Sequence, residues 1–218
     1  MNYLLYLTIS NTYIFLHNID SQVGVSYRYP MYFHEVSDDE VSAIVEMNVN
    51  STVWMTRFVI EGMLALDDGI VPREKGAIIN ISSGSALYPM PLLAEYAAAK
   101  TFIEKFSIAL NAEYSSKGIF VQCQTPFYVA TKLAKMRKSF LVPTPADYVK
   151  RAINFVGHSD PVVQPFWGHA LMSMAMNHIP SSILAEVVTS MHVATNKKGK
   201  KKDTNIRKRE KKKDAKSN

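Results

Sequence analysis

Residues 77–81, Ala-Ile-Ile-Asn-Ile, form a short run rich in apolar and β-branched side chains. A run of this length and composition reads as a buried strand, of the kind a parallel sheet contains. It ends in Ser82-Ser83-Gly84-Ser85, small polar residues that suit a loop at the carboxyl edge of such a sheet. Ligands of open α/β sheets bind outside that edge. A helix follows, with Tyr96 and Lys100 four residues apart and therefore on one face. An ammonium near a phenol stabilises the phenolate and lowers its pKa, which lets the tyrosine exchange a proton near neutral pH. Ser83, thirteen residues before Tyr96, reaches the same spot from the strand end and can hydrogen-bond a carbonyl oxygen. Tyr-x-x-x-Lys alone is common on amphipathic helices, with Tyr at the core rim and Lys in water. The serine, the strand and the Ala-rich spacer together carry the chemical reading.

At 218 residues the chain can hold one domain with a sizeable core, and 47% hydrophobic residues is ordinary for a globular protein. The single cysteine, Cys123, excludes an intramolecular disulfide framework and reads as an inert core thiol. The net charge of +6 is uneven. Residues 196–218 hold twelve Lys/Arg and three Asp/Glu, which is +9 (12 minus 3), so the remainder carries −3 (13 minus 16). This basic tail lacks apolar periodicity and is expected to be disordered, with anionic lipid or nonspecific nucleic acid as its contacts. Residues 1–22 are apolar and aromatic but hold no run of the ~18 residues a membrane helix needs, and no signal-peptide pattern. Tyr13 to Leu16 reads as one buried strand.

The strand, Ser83 and the Tyr96-x-x-x-Lys100 pair at this spacing resemble the catalytic segment of the short-chain dehydrogenase/reductase family. Val23 to Phe33, VGVSYRYPMYF, narrows the resemblance to the branch containing the type-12 17β-hydroxysteroid dehydrogenases and the very-long-chain 3-oxoacyl-CoA reductases. In that branch an Asn-Asn-x-Gly turn precedes the segment; here the turn is Ser21-Gln22-Val23-Gly24. Phe127 after Pro126 also follows the branch. The resemblance implies an α/β fold, a Rossmann-like doubly wound parallel sheet, incomplete at its N-terminal (cofactor) half. It implies three regions: an atypical segment 1–22, the C-terminal part of the family domain over 23–195, and the tail 196–218.

The activity implied is reduction of a 3-oxoacyl-CoA or a 17-oxosteroid with NADPH, NADH being left open, at the cytosolic face of the endoplasmic reticulum membrane. Tyr96 would donate the proton, Ser83 would polarise the carbonyl oxygen, and Lys100 would lower the Tyr96 pKa and bind the nicotinamide ribose. Asn48, a better match than Asn50, would hold a relay water. Pro126 and Thr131 would contact the cofactor. Relatives also carry a Thr-Gly-x-x-x-Gly-x-Gly loop that receives the pyrophosphate. No such pattern exists here, and Gly24 is the only glycine before Gly62. A truncated gene model or splice form is the expectation. The alternative, from another class, is a catalytically silent scaffold that associates with relatives or membrane.

The remaining signals are structural. Ser37 with Glu40 makes a capping box for a helix over Val41 to Gly62. Asp67-Asp68-Gly69 and Pro72 mark a surface loop. Phe102, Ile103, Phe106, Ala109 and Leu110 form a core or dimer stripe, the two long helices being a route to a homo-oligomer. Gly118 ends that helix, a strand follows over Ile119 to Gln124, and Thr144 or Asp147 caps a helix running to Val156. Lys132, Lys135, Arg137 and Lys138 read as a solvated face, or as a site for the phosphates of an acyl-CoA. His169, His178 and His192 lack metal-ligand spacing, which leaves no metal expected, and read as surface or rim residues. Met172, Met174, Met176 and Met191 read first as core, with a lipid-chain or peripheral membrane contact as the alternative.

Overall fold

A computed structural model of the chain describes residues 6–9, 12–15, 24–65, 76–131 and 136–217. The turn residues Ser21, Gln22 and Val23, the loop from Asp67 to Pro72, and Lys132 and Lys135 lie outside the described residues. Strands β1 (Tyr6–Ile9) and β2 (Thr12–Phe15) pair antiparallel, with Tyr6 opposite Phe15. The strand expected near Tyr13 is thus part of a hairpin.

Helix α1 (Asp38–Ile44) starts at the expected capping box. Ser37 Oγ accepts from the Glu40 amide at 3.4 Å, and the Glu40 carboxylate accepts from the Ser37 amide at 3.3 Å. Three carboxylates in the first turn, Asp38, Asp39 and Glu40, favour the positive end of the helix dipole. One wide π-helical turn, Val45–Asn50, joins α1 to α2 (Ser51–Ala65).

The sheet is parallel, in the order β3 (Ala77–Ile81), β4 (Phe120–Gln124), β5 (Val162–Val163). Its register runs from Ala77 opposite Phe120 to Ile81 opposite Gln124, and Cys123 faces Val162. Helix α3 (Ala94–Tyr114) crosses from β3 to β4 and ends where Gly118 takes a left-handed φ of 80°. Helix α4 (Pro145–Ala152) lies between β4 and β5; Thr144 Oγ1 caps it by accepting from the Asp147 amide. It is shorter than expected, closing in a 3-10 turn at Ile153–Phe155. This is the doubly wound α/β architecture, with three parallel strands among the described residues.

Two apolar clusters hold the layers together. Ile78 and Val121 from the sheet meet Ile60 of α2 and Ile119, and Tyr27, Met31 and Val36 pack the segment after Gly24 against Ile44 and Ala99. Cys123 is fully buried, and burial pushes its thiol up to about 12, which keeps it inert as expected. The α3 stripe divides: Ile103 is buried, whereas Phe102 is exposed and stacks on Phe106. On α2, Trp54 and Phe58 are 65% and 72% exposed.

Helix α5 (Trp167–Met176) leads to α6 (Ser181–Ser217), a single helix of 37 residues. Residues 196–217, expected to be disordered, are helical. Leu184, Val188, His192 and Asn196 recur at every fourth residue and are buried against the body. The stripe continues through Gly199, whose missing side chain admits the Tyr29 ring. Asp203 accepts from Tyr29 Oη at 2.8 Å and pairs with Arg28 at 3.3 Å, and Lys200 pairs with Glu35 at 2.6 Å. Polar residues thus carry the docking that an apolar period would otherwise mark. A docked turn removes the nucleation cost, and Lys- and Arg-rich residues then propagate helix readily. Met174 and Met191 are exposed, not core, while Met172 and Met176 are half-buried. Among the described residues no helix is long and apolar enough to cross a membrane.

A Cβ at Gly199 would lie 2.4 Å from the Tyr29 ring. Gly199→Val is therefore expected to lower stability by about 1–3 kcal/mol and to speed tryptic cleavage within 196–218. Calorimetry and a digestion time course check this, and parental behaviour in both would refute the docking.

Candidate active site

The β3–β4 ladder continues past both strands. The Ser82 amide donates to the Gln124 carbonyl at 2.8 Å, and the Gly84 amide to the Pro126 carbonyl at 2.8 Å. The two loops at the carboxyl edge are therefore zipped together. Ser82 Oγ also donates to the Lys100 carbonyl at 2.6 Å, seating α3 on the strand end. Phe127 covers Gly84 so closely that a Cβ there would lie 2.4 Å from its ring. Glycine is required by this contact, not by its backbone angle.

Ser83, Tyr96 and Lys100 converge at this edge. Ser83 is extended, its Oγ accepting from the Ser85 amide at 3.2 Å, and it is hydrogen-bonded to the Tyr96 phenol. Burial raises the Tyr96 pKa, and the Ser83 hydrogen bond opposes that rise. Lys100 is 3% exposed; its Nζ donates to the Ile81 carbonyl at 3.3 Å and lies 5.8 Å from the centre of the Tyr96 ring. Burial brings the Lys100 ammonium down to about 8. Desolvation is the largest influence on both groups, because both are buried.

Asn48 sits in the π-helical turn and is 1% exposed. A π turn bonds each amide to the fifth preceding carbonyl and so widens the helix. Asn48 Nδ2 donates to the Ile44 carbonyl and to the Val25 carbonyl, both at 3.0 Å. Its Oδ1 has no hydrogen-bond partner among the described residues. A Cβ on Gly24 would lie 3.0 Å from this oxygen and 3.4 Å from Lys100 Nζ, so Asn48 and Lys100 flank one point. Asn50 instead donates to Glu46 at the surface.

Pro126 is fixed through its carbonyl, as above. Thr131 is exposed at the end of the same loop, with its amide donating to the Val129 carbonyl at 2.7 Å. Two histidines differ from the surface reading. His169 is fully buried, its Nδ1 accepting from the Phe127 amide at 3.3 Å while Nε2 faces the Tyr128 carbonyl at 3.2 Å. Burial lowers its pKa, so it holds the loop as a neutral ring. His192 is buried against the Pro91 carbonyl at 2.6 Å, and His178 is exposed. Backbone partners satisfy both buried rings, which a sequence pattern does not reveal. Phe127, Tyr88 and His169 thus frame the site without a motif to announce them; Tyr88 stacks on Phe127, and its hydroxyl donates to the Ser173 carbonyl. No group of three metal-ligating side chains occurs among the described residues.

Residues 20–141, more than half of the chain, match the family described as short chain dehydrogenase. The chain belongs to the short-chain dehydrogenase family. Within that family it is 44% identical over 178 residues to the human very-long-chain 3-oxoacyl-CoA reductase, covering 80% of this chain and 54% of that protein. It is 39% identical over 165 residues to human inactive hydroxysteroid dehydrogenase-like protein 1, covering 73% and 48%. A solved structure, the 3-ketoacyl-(acyl-carrier-protein) reductase from Brucella melitensis complexed with NADH, matches with a TM-score of 0.53 at 24% identity over 65% of this chain and 60% of that chain. At that identity the likeness is one of fold. The chain spans about half the length of the curated relatives it matches.

The fold family implies a nicotinamide dinucleotide. The unpartnered Asn48 Oδ1, the narrow approach at Gly24 and the buried Lys100 Nζ make a polar cradle that fits its nicotinamide-ribose end. The glycine-rich sequence that would fit the pyrophosphate is not in this chain.

Lys100 has a pKa of 10.5 when unfolded and about 8 when folded. Between those values the unfolded chain binds more protons at this group, so its contribution to stability rises with pH. Below pH 8 the full penalty, on the order of 3 kcal/mol, is present. Lys100→Met is expected to be more stable than the parent at pH 7, with the gap closing toward pH 10. Urea unfolding at both pH values checks this; a less stable variant at pH 7 would contradict it.

Proposed function

We propose that this chain reduces the 3-oxo group of a long-chain acyl-CoA thioester with NADPH. The convergence of Ser83, Tyr96 and Lys100 at the carboxyl edge of β3 carries this reading. The name and identity of the very-long-chain 3-oxoacyl-CoA relative favour the acyl-CoA over a 17-oxosteroid. Tyr96, Lys100, Pro126 and Thr131 would hold the nicotinamide end, which supplies a hydride when bound. The chain's own residues manage the oxygen and the proton. Ser83 Oγ and the Tyr96 phenol donate hydrogen bonds to the substrate carbonyl oxygen. As that oxygen gains negative charge, Tyr96 transfers its proton to it, and the phenolate is stabilised by the nearby ammonium of Lys100. Lys100 and the unpartnered Oδ1 of Asn48 then lie along the route by which Tyr96 regains a proton. The lysine-rich turns of α6 suit the anionic cytosolic face of the endoplasmic reticulum, each cation adding ~1 kcal/mol near such a surface.

Tyr96→Phe is expected to cut turnover of a 3-oxoacyl-CoA by on the order of a hundredfold to ten-thousandfold. Far-UV dichroism should remain parental. Undiminished turnover would sink the assignment.

A second reading is a catalytically silent subunit that docks on a full-length relative. The exposed aromatic residues Trp54 and Phe58 of α2 favour it. Under this reading the chain sediments together with such a relative and Trp54→Glu separates the two. A lone monomer with reductase activity would rule it out.

A further inference from the structure

A groove of about 490 Å³ opens between the loop after β4 and helix α4, and the proton-transfer residues take no part in it. Its walls include Lys138, Phe140, Asp147, Lys150, Arg151 and Phe166. The one carboxylate among these is already engaged. Asp147 accepts from Thr144 Oγ1 at 2.8 Å and from Lys138 Nζ at 3.0 Å, and these partners hold its pKa down. Lys150 and Arg151 have no carboxylate partner among the described residues. Arg151 lies over the Phe166 ring, 5.8 Å from its centre, which leaves the guanidinium edge to face solvent.

The placement of Lys150 and Arg151 in the last turn of α4 offsets the helix dipole, but that does not account for Phe140. Phe140 is 73% exposed yet oriented, its ring edge-on to Trp167 at 4.5 Å. A fixed aromatic face beside unpaired cations matches a ligand that joins a planar base to phosphates. The groove is also continuous with the site. The Ala130 amide donates to the Pro143 carbonyl at 2.9 Å, which ties the β4 loop to its wall. From Gly84 an aromatic row runs through Phe127 and His169 to Phe166, with ring centres 5.8 and 4.9 Å apart.

We propose that this groove receives the 3′-phosphoadenosine diphosphate end of a coenzyme A thioester. The adenine lies against Phe140, and Lys150 and Arg151 receive the phosphates. The pantetheine arm then follows the loop over 126–131 to bring the acyl carbonyl to Ser83. The proposal rests on the acyl-CoA reading and extends it with a recognition site that a steroid would not use.

Calorimetric titration of the 218-residue chain with free coenzyme A tests the binding without any turnover. Saturable binding is expected, weakened about tenfold or more by Lys150→Ala with Arg151→Ala, and also weakened for dephospho-coenzyme A. No binding, or affinity unchanged by both changes, overturns the proposal. A kinetic comparison on the unaltered chain covers the case in which the double variant misfolds. The KM should be lower for a 3-oxoacyl-CoA than for the matching N-acetylcysteamine thioester. Equal KM values with good turnover refute the groove while the reductase reading stands. Coenzyme A binding that depends on the 3′-phosphate, without turnover of either thioester, supports the groove and refutes the reductase.

Discussion

The hydrogen-bonded register of β3 and β4 beyond their last residues is the constraint on which the site depends. Because Ser82 and Gly84 are bonded to Gln124 and Pro126, neither loop can shift without the other. Ser82 Oγ then fixes α3 through the Lys100 carbonyl, which sets the helix that carries Tyr96. The cost appears at Lys100, an ammonium buried between helix and sheet. A residue that lowers stability while sitting at the edge where ligands bind is an expected mark of a functional position.

The π-helical turn plays the equivalent part on the other side. The Ile44 carbonyl at the start of this turn accepts from Asn48 Nδ2. The same amide holds the Val25 carbonyl, which anchors the segment after Gly24 beside the site. The amide is thereby used up by structure, and Oδ1 is left without a partner among the described residues.

Helix α6 ties distant parts of the chain together by polar contacts. Asn196 donates to the Pro30 carbonyl at 2.8 Å, and Asp203 meets both Arg28 and Tyr29. The SYRYPMYF segment (Ser26–Phe33), which in sequence marks the branch of the family, therefore has two structural duties. Tyr27 and Met31 face the core, whereas Arg28 and Tyr29 receive the helix. This places a highly basic helix on the body with its exposed positions 204–208 projecting beyond the docked stripe.

Local chemistry was enough to read β3, Ser83, the Tyr96 and Lys100 face, the Ser37 capping box, the Thr144 cap and Gly118, since each depends on residues within a few positions of one another. Asn48 was legible as a candidate, but its π turn was not, because the turn is stabilised by a bond to Val25 far away in sequence. The order of 196–218 was hidden for the same reason: the anchors are Asn196, Gly199, Lys200 and Asp203, and their partners lie at 28–35. His169 and His192 read as rim residues until backbone carbonyls and an amide were seen to satisfy their rings. The sequence by itself determined the family, the parallel strands and the candidate trio Ser83, Tyr96 and Lys100, because hydrophobic period, spacing and side-chain chemistry are local properties. Only the tertiary structure decided the protonation energetics of Tyr96 and Lys100 and the course of the final helix, because desolvation and long-range hydrogen bonds exist only once distant segments have packed.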